Sequence, residues 1–299
     1  MKRSPAVFLL FVTLCSLAPL HAADTQSRST GSGRHPLWRV EGKSNVVYVL
    51  GAVHLLKESH YPLASVIESA FSNSSVTVFE TDLNEMDLPA TREKLVTKAK
   101  LPEGETLKDV LSSETYKAFN RRLTNSGVAG GSFDTFKPAM AGLMLISVEW
   151  QKLGIDAQYG VDRHFFDLAL EARRPVMELE SVDFQINLVM DLTKEEGELM
   201  MKSALKDIEN TEDNYSERVT AWLAGDGKKL ASLLNEGMRD APTLYKRMLT
   251  DRTQRWVPKV EELLHGNRNA IVIVGAGHVV GDNGLIELLQ KAGWKVTQL

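Results

Sequence analysis

The chain has 299 residues, 43% of them hydrophobic and 25% charged, with a formal net charge of -4 at pH 7. That is globular composition with enough apolar content for a real core. The acidic balance and a pI near 6.0 exclude the basic footprint of a nucleic-acid binder and give no electrostatic draw toward a membrane surface.

The opening stretch, MKRSPAVFLLFVTLCSLAPLHAADTQ, has a basic start at Lys2 and Arg3, an apolar run over Val7–Leu14 and small residues at Ala22-Ala23. This is the pattern of a secretory signal peptide over 1–23. Its apolar run falls well short of the roughly 20 residues that a spanning helix needs, so no membrane span is expected after its removal. The one cysteine, Cys15, lies inside that segment, and Leu14 before it does not suit lipidation. The mature chain is then expected to have no disulfide, and any metal must be held by His, Asp, Glu or backbone oxygen. Export without disulfides fits a periplasmic protein of a bacterial envelope. Residues 24–36 (DTQSRSTGSGRHP) read as a flexible linker, leaving 37–299 as a single domain.

Leu37 to Gly42 and Asn45 to Leu50 read as a hairpin pair of strands, and the second delivers Gly51-Ala52-Val53-His54. Pro62 to Phe71 has helical spacing, with Pro62 in its first turn, and Ser75 to Glu80 is the next strand. The pattern is helical from Leu88 to Leu123, breaks at Gly127 to Gly131, and resumes as the most apolar helix at Pro138 to Leu153, whose methionines suit gap filling. A helix over Gly160 to Arg173 precedes the strand Pro175 to Glu180, after which Ser181 caps the next helix. Val182 to Gly266 reads as several helices broken at Gly225 to Gly227, Gly237 and Pro242. The last unit is the strand 270–274, Gly275-Ala276-Gly277-His278, a helix over Asn283 to Lys291 and a strand over Trp294 to Leu299. It repeats the plan of the first unit: strand, GxxH, helix, strand. Two copies are too few for a solenoid. The expected fold is α/β, with a pseudo-symmetric, largely parallel central sheet and a large helical insertion, about 88–266, between the two GxxH-bearing halves.

Ligands of open parallel sheets bind outside the carboxyl ends of the strands. His54, Glu80, Glu180 and His278 each fall at such an end. One GxxH is worth little, since a turn histidine is usually just solvated; two at matched strand ends point to a shared site. Two imidazoles with one or two carboxylates suit a divalent metal with an open water position, and zinc, manganese or cobalt each fit. Gly51 and Gly275 would let the backbone turn off each strand and approach a ligand closely. A carboxylate buried like Glu80 needs a partner or a raised pKa, against the simpler reading of a helix-capping or surface acid. Glu178 and Glu180 are in phase on one strand, and a solvated end explains them equally well. Arg252 is either a helix-end charge or a cation for transition-state charge. Capping accounts for Asp162, and His60 and His164 look ordinary.

The ordered set LWRVEG, VYVLGAVHLL, VFETDL, YGVDRHF, MELES, LYKRMLTDRTQRW and IVIVGAGHVVGDNGLIELLQKAGW resembles the TraB/GumN family over roughly residues 37 to 299. The resemblance implies an α/β fold shared with the Tiki proteases, the erythromycin esterases and the haem-binding ChaN proteins. Tiki proteins are metal-dependent proteases using manganese or cobalt. By that resemblance His54, His278 and Glu80 carry over as metal and catalytic positions, with Arg252 as companion; Glu180 joins the metal set from its strand-end position. Thr253 departs from the Asn that often follows the arginine in the family.

Three functional readings fit these residues. The first is a periplasmic metal-dependent hydrolase of peptides or small molecules, peptidase-like, with Glu80 as ligand or base and Arg252 at the oxyanion. The second is a non-catalytic protein holding haem or another ligand through the same histidines. The third is a metal-independent esterase with a histidine base.

Overall fold

The computed structural model describes residues 33–236 and 241–299. The stretches expected to be a signal peptide and, up to residue 32, a linker, together with Gly237, lie outside the described residues.

Six strands form one sheet: β1 (Leu37–Glu41), β2 (Val46–Ala52), β3 (Val76–Phe79), β4 (Val176–Glu178), β5 (Ala270–Gly275) and β6 (Val296–Gln298). Their order is β4-β3-β5-β2-β1-β6. The four strands from β4 to β2 are mutually parallel, while β1 is antiparallel to both β2 and β6. The sheet is therefore largely parallel, with an antiparallel margin made by the hairpin and the C-terminal strand.

β5 is the spine. Ile271, Val272, Ile273 and Val274 have no exposed surface, as expected of a central parallel strand covered on both faces. Burying each such side chain is worth about 1.5–3 kcal/mol, an upper estimate because denatured chains already bury part of their surface. Its register sets the site: Gly275 lies opposite Ala52 of β2, and Ile273 lies opposite Phe79 of β3. Phe79 in turn pairs with Glu178 of β4. Four carboxyl ends are thus brought to one rim.

The strand, GxxH, helix, strand plan occurs twice, with helices Ser65–Ser72 and Leu285–Lys291. The two units end differently: β3 lies beside β5, whereas β6 crosses to the far edge beyond β1. The helical insertion has its own core, in which Phe119, Leu123, Leu145, Val182 and Ile186 pack with Met140, Met144 and Met201. These methionines fill packing space rather than face a ligand.

Several boundaries shift from their expected positions. The helix expected from Pro62 begins at Ser65, because Ala64 is its N-cap residue and the chain ahead of it is extended at Tyr61 and bends at Pro62. The expected flexible stretch gives way before Pro36: His35 N–H donates to Leu299 O, and Pro36 O accepts from Gly51 N–H at 2.8 Å. The strand expected over Pro175 to Glu180 pairs only over Val176–Glu178. Among the described residues no helix is long and apolar enough to cross a membrane.

Candidate active site at the carboxyl rim of the sheet

His54 leaves β2 in a bend held by the segment ahead of the helix Val161–Glu171. Leu56 and Asp156 exchange backbone hydrogen bonds (3.2 and 2.9 Å), and Val161 N–H donates to Val53 O at 3.0 Å. Gly160 is needed there, since a Cβ would lie 2.4 Å from His54 O. That junction sets Asp162 Oδ2 2.9 Å from His54 Nδ1. The other ring nitrogen, Nε2, faces Glu80 Oε1 at 3.8 Å, too long for a hydrogen bond. The His54 side chain is 44% exposed. Burial of its inner edge alone would lower its pKa, but the charge and hydrogen bond of Asp162, with Glu80 behind them, outweigh that and lift it to about 9. His54 is therefore a cation at neutral pH with one N–H directed into the rim.

Glu80 sits one residue past β3. Its Oε1 accepts from Gly275 N–H at 2.7 Å and its Oε2 from Arg252 Nη2 at 2.6 Å. Burial would raise this carboxyl, but the Arg252 guanidinium, the neighbouring imidazoles and the Gly275 N–H hold it far below the usual carboxylate range. It stays ionised.

Neither glycine has the left-handed backbone that favours glycine: Gly51 lies inside β2, and Gly275 is the last residue of β5 and the N-cap of the helical turn that follows. Each is small because of close approach. A Cβ on Gly275 would lie 2.8 Å from His54 Nε2 and 3.1 Å from Glu80 Oε1, and one on Gly51 would lie 3.2 Å from Ala276 Cα.

Arg252 is on the helix Asp251–His265, which follows a π-helical stretch, Lys246–Thr250. Wider turns of this kind recur at functional sites. Here the Met248 and Leu249 carbonyls accept from the side chains of Arg252 (3.2 Å) and Thr253 (2.9 Å). A guanidinium has five N–H donors, and all five are engaged. Nε donates to Glu180 Oε1 at 2.8 Å, Nη2 to Glu80 Oε2 and Glu180 Oε1, and Nη1 to Met248 O and to His278 Nε2 at 3.0 Å. No donor is left for a substrate oxyanion, so the expected catalytic role of Arg252 becomes one of holding Glu80 and Glu180.

Glu180 is buried and engaged at both oxygens: Oε1 also accepts from Gln185 Nε2 at 2.9 Å, and Oε2 accepts from Trp256 Nε1 at 3.1 Å. Glu178, its in-phase neighbour, is exposed. His278 lies in the short helical turn Ala276–Val279 and is 4% exposed. Its Nδ1 is 2.8 Å from Thr253 Oγ1, and its ring packs on Trp256 with centroids 4.3 Å apart. Burial first, then the Arg252 charge, push its pKa down to about 3, so it is neutral.

The structure brings His54, Glu80, Glu180 and His278, each just past a strand, into one network with Arg252 from the helix Asp251–His265. It does not arrange them as the expected metal set. Both nitrogens of His278 and both oxygens of Glu180 have protein partners, and the Arg252 guanidinium occupies the place between His278 and the carboxylates. Only His54, after losing its Nε2 proton, and Glu80 could turn a lone pair toward a metal, fewer than the three protein ligands of a typical catalytic zinc site. Among the described residues no group of three or more His, Cys, Asp and Glu side chains could hold a metal ion. Haem would likewise find a free imidazole nitrogen on His54 and none on His278.

The model of the TraB/PrgY/gumN family matches residues 36–298. The chain belongs to the TraB/PrgY/gumN family. It is 23% identical over 243 residues to the uncharacterized protein YbaP of Escherichia coli (strain K12), an alignment covering 81% of this chain and 87% of that one. The YbaP of Shigella flexneri matches to the same extent. No solved structure matches.

Within this TraB/PrgY/gumN chain, four residues of the site carry no sequence signal of their own. Asp162 looks like a helix-start acid, yet Gly160 is the cap residue and Asp162 turns to His54. Gln185 and Trp256 look like ordinary helix residues, and Thr253 stands out only as a departure from the family's usual Asn. The i, i+4 spacing of Arg252 and Trp256 is the one clue, since it places both on one helix face. His60 and His164 stay outside the network: His60 packs against Tyr215, and His164 lies 3.3 Å from Glu68.

Proposed function

We propose that this family member is a hydrolase of the cell envelope, acting on a peptide or small-molecule ester or amide, with His54 and Glu80 as the reacting pair. The single observation that carries this reading is the Asp162–His54 pair: an imidazole oriented at one nitrogen by a carboxylate, with the other nitrogen open to the rim beside a second carboxylate. A proton-transfer group held by a third residue is the recurrent geometry of acid–base catalysis.

The protonation states assign the roles. His54 is charged at neutral pH, so its Nε2–H donates to the carbonyl oxygen as negative charge develops there. It then gives that proton to the leaving oxygen or nitrogen. Glu80 is ionised and fixed by Gly275 and Arg252, so Oε1 accepts a hydrogen bond from the attacking water and aligns it. Water adds its oxygen to the carbonyl carbon and gives a proton to Glu80, His54 gives its proton to the leaving group as the C–O or C–N bond breaks, and Glu80 returns the water's proton to His54, restoring both groups. A metal held between the two histidines has no support in this donor set, so no step runs through one.

The test is hydrolysis of ester and peptide panels by the mature protein in excess EDTA. Turnover should persist in chelator and fall as pH rises through about 9, where His54 loses its proton. Activity abolished by EDTA and restored by manganese, cobalt or zinc would overturn it in favour of the metal-dependent peptidase. A Soret band on haem titration with no hydrolysis would favour the binding protein.

A further inference from the structure

We infer that His278 is a positioning residue: a neutral imidazole, locked in one tautomer by Thr253, that orients the Arg252 guanidinium and through it Glu80. The inference deepens the hydrolase reading and rests on it only for its catalytic consequence.

The hydrogen-bond chemistry allows one assignment. Arginine has donors and no acceptor, so the 3.0 Å contact between Arg252 Nη1 and His278 Nε2 requires Nε2 to be bare. A neutral imidazole then carries its proton on Nδ1, which donates to Thr253 Oγ1 at 2.8 Å. The Thr253 hydroxyl passes its own proton to Leu249 O at 2.9 Å. The chain of donors runs one way, from Arg252 to His278 to Thr253 to the backbone of the π-helical stretch.

Every link is buried. Arg252, Thr253 and His278 are 7%, 1% and 4% exposed, and Trp256 covers the imidazole face. The face of the guanidinium opposite His278 holds Glu80 and Glu180. Rotating the His278 ring or moving its proton to Nε2 would set an N–H against Arg252 Nη1. The guanidinium would then swing off Glu80, leaving Gly275 N–H and the longer 3.4 Å bond from Gln185 Nε2 to hold it beside His54. Thr253 acts at one remove, as the acceptor that decides which nitrogen of His278 is bare.

Long-range 1H–15N spectra of the imidazoles, recorded on the full mature protein, read this directly. His278 should show Nδ1 protonated and Nε2 bare from pH 5 to 9. The Arg252 Nε–H should exchange slowly with water. Thr253→Val should speed that exchange roughly five- to tenfold, as expected for loss of one buried hydrogen bond, and Thr253→Ser should restore it. Where turnover is measured, Thr253→Val should lower kcat with KM unchanged, and Thr253→Ser should rescue it. Manganese or zinc alone should leave the His278 nitrogens unshifted.

A His278 with Nε2 protonated, a zinc-induced shift at Nε2, or Thr253→Val spectra identical to wild type would each overturn the inference. The spectra need no substrate. Absent hydrolysis with this tautomer intact would sink the hydrolase reading alone; hydrolysis in EDTA with the wrong tautomer would sink the positioning role alone.

Discussion

His54 and His278 each follow a Gly-Ala pair at the carboxyl end of adjacent parallel strands, yet the His54 side chain is 44% exposed and His278 is 4% exposed. The difference arises just past the strands. After β2 the chain bends outward and is held by the segment before Asp162, so His54 meets one carboxylate and the open rim. After β5 the chain enters a helical turn, which tucks His278 beneath the helix Asp251–His265, against Arg252, Thr253 and Trp256. One motif thus yields a cation near pKa 9 and a neutral ring near pKa 3. Environment, not residue type, sets which histidine can move a proton.

The comparison is broken most severely at His54 itself. His54→Gln should reduce turnover by about 10²–10⁴-fold, the usual worth of a positioned acid–base group, with any loss of stability confined to pH below about 9, where the charged ring contributes. Arg252→Met should act on the fold instead. It leaves Glu80 and Glu180 buried without their cation, and stripping one partner from a buried ion pair costs about 3–5 kcal/mol, measurable by urea denaturation.

Gly275→Ala sharpens the contrast on the His54 side. Its methyl would crowd His54 Nε2 and Glu80 Oε1 while the strand backbone tolerates alanine. Turnover should drop with stability held within about 1 kcal/mol. Asp162→Asn should remove the charge that lifts His54, shifting the high-pH limb of the activity profile downward; an unmoved limb would assign it to another group.

Opposite pKa shifts give opposite pH signatures. His278 is depressed to about 3 in the fold against about 6.5 in the unfolded chain, so protons favour the unfolded state. Stability should fall as pH drops below about 6.5, by up to about 1.4 kcal/mol per pH unit. His54 is raised, so its contribution is complete below about 6.5 and is lost as pH climbs through about 9. Denaturation midpoints of His278→Gln should flatten between pH 6.5 and 5 relative to wild type.

Much of this architecture is legible in the sequence. The β-branched runs ending in GxxH locate β2 and β5, and strand-end logic places His54, Glu80, Glu180 and His278 on one rim. Sequence pattern does not show which of those groups already have partners. The Asp162–His54 pair spans 108 positions, and the saturation of Arg252 depends on its helix lying against the ends of β3, β4 and β5, which sequence pattern does not place. Gly51 and Gly275 read as turn formers because glycine most often serves that way; only coordinates show the atoms their missing side chains would strike.

The most direct measurement sets His54→Gln beside His278→Gln in the same EDTA-treated hydrolysis assay. Loss of turnover in the first, with the second retaining a measurable fraction and its pH limb near 9, is the expected result. Equal and complete loss in both variants, or wild-type activity that vanishes with chelation, would contradict the division of labour between the two histidines.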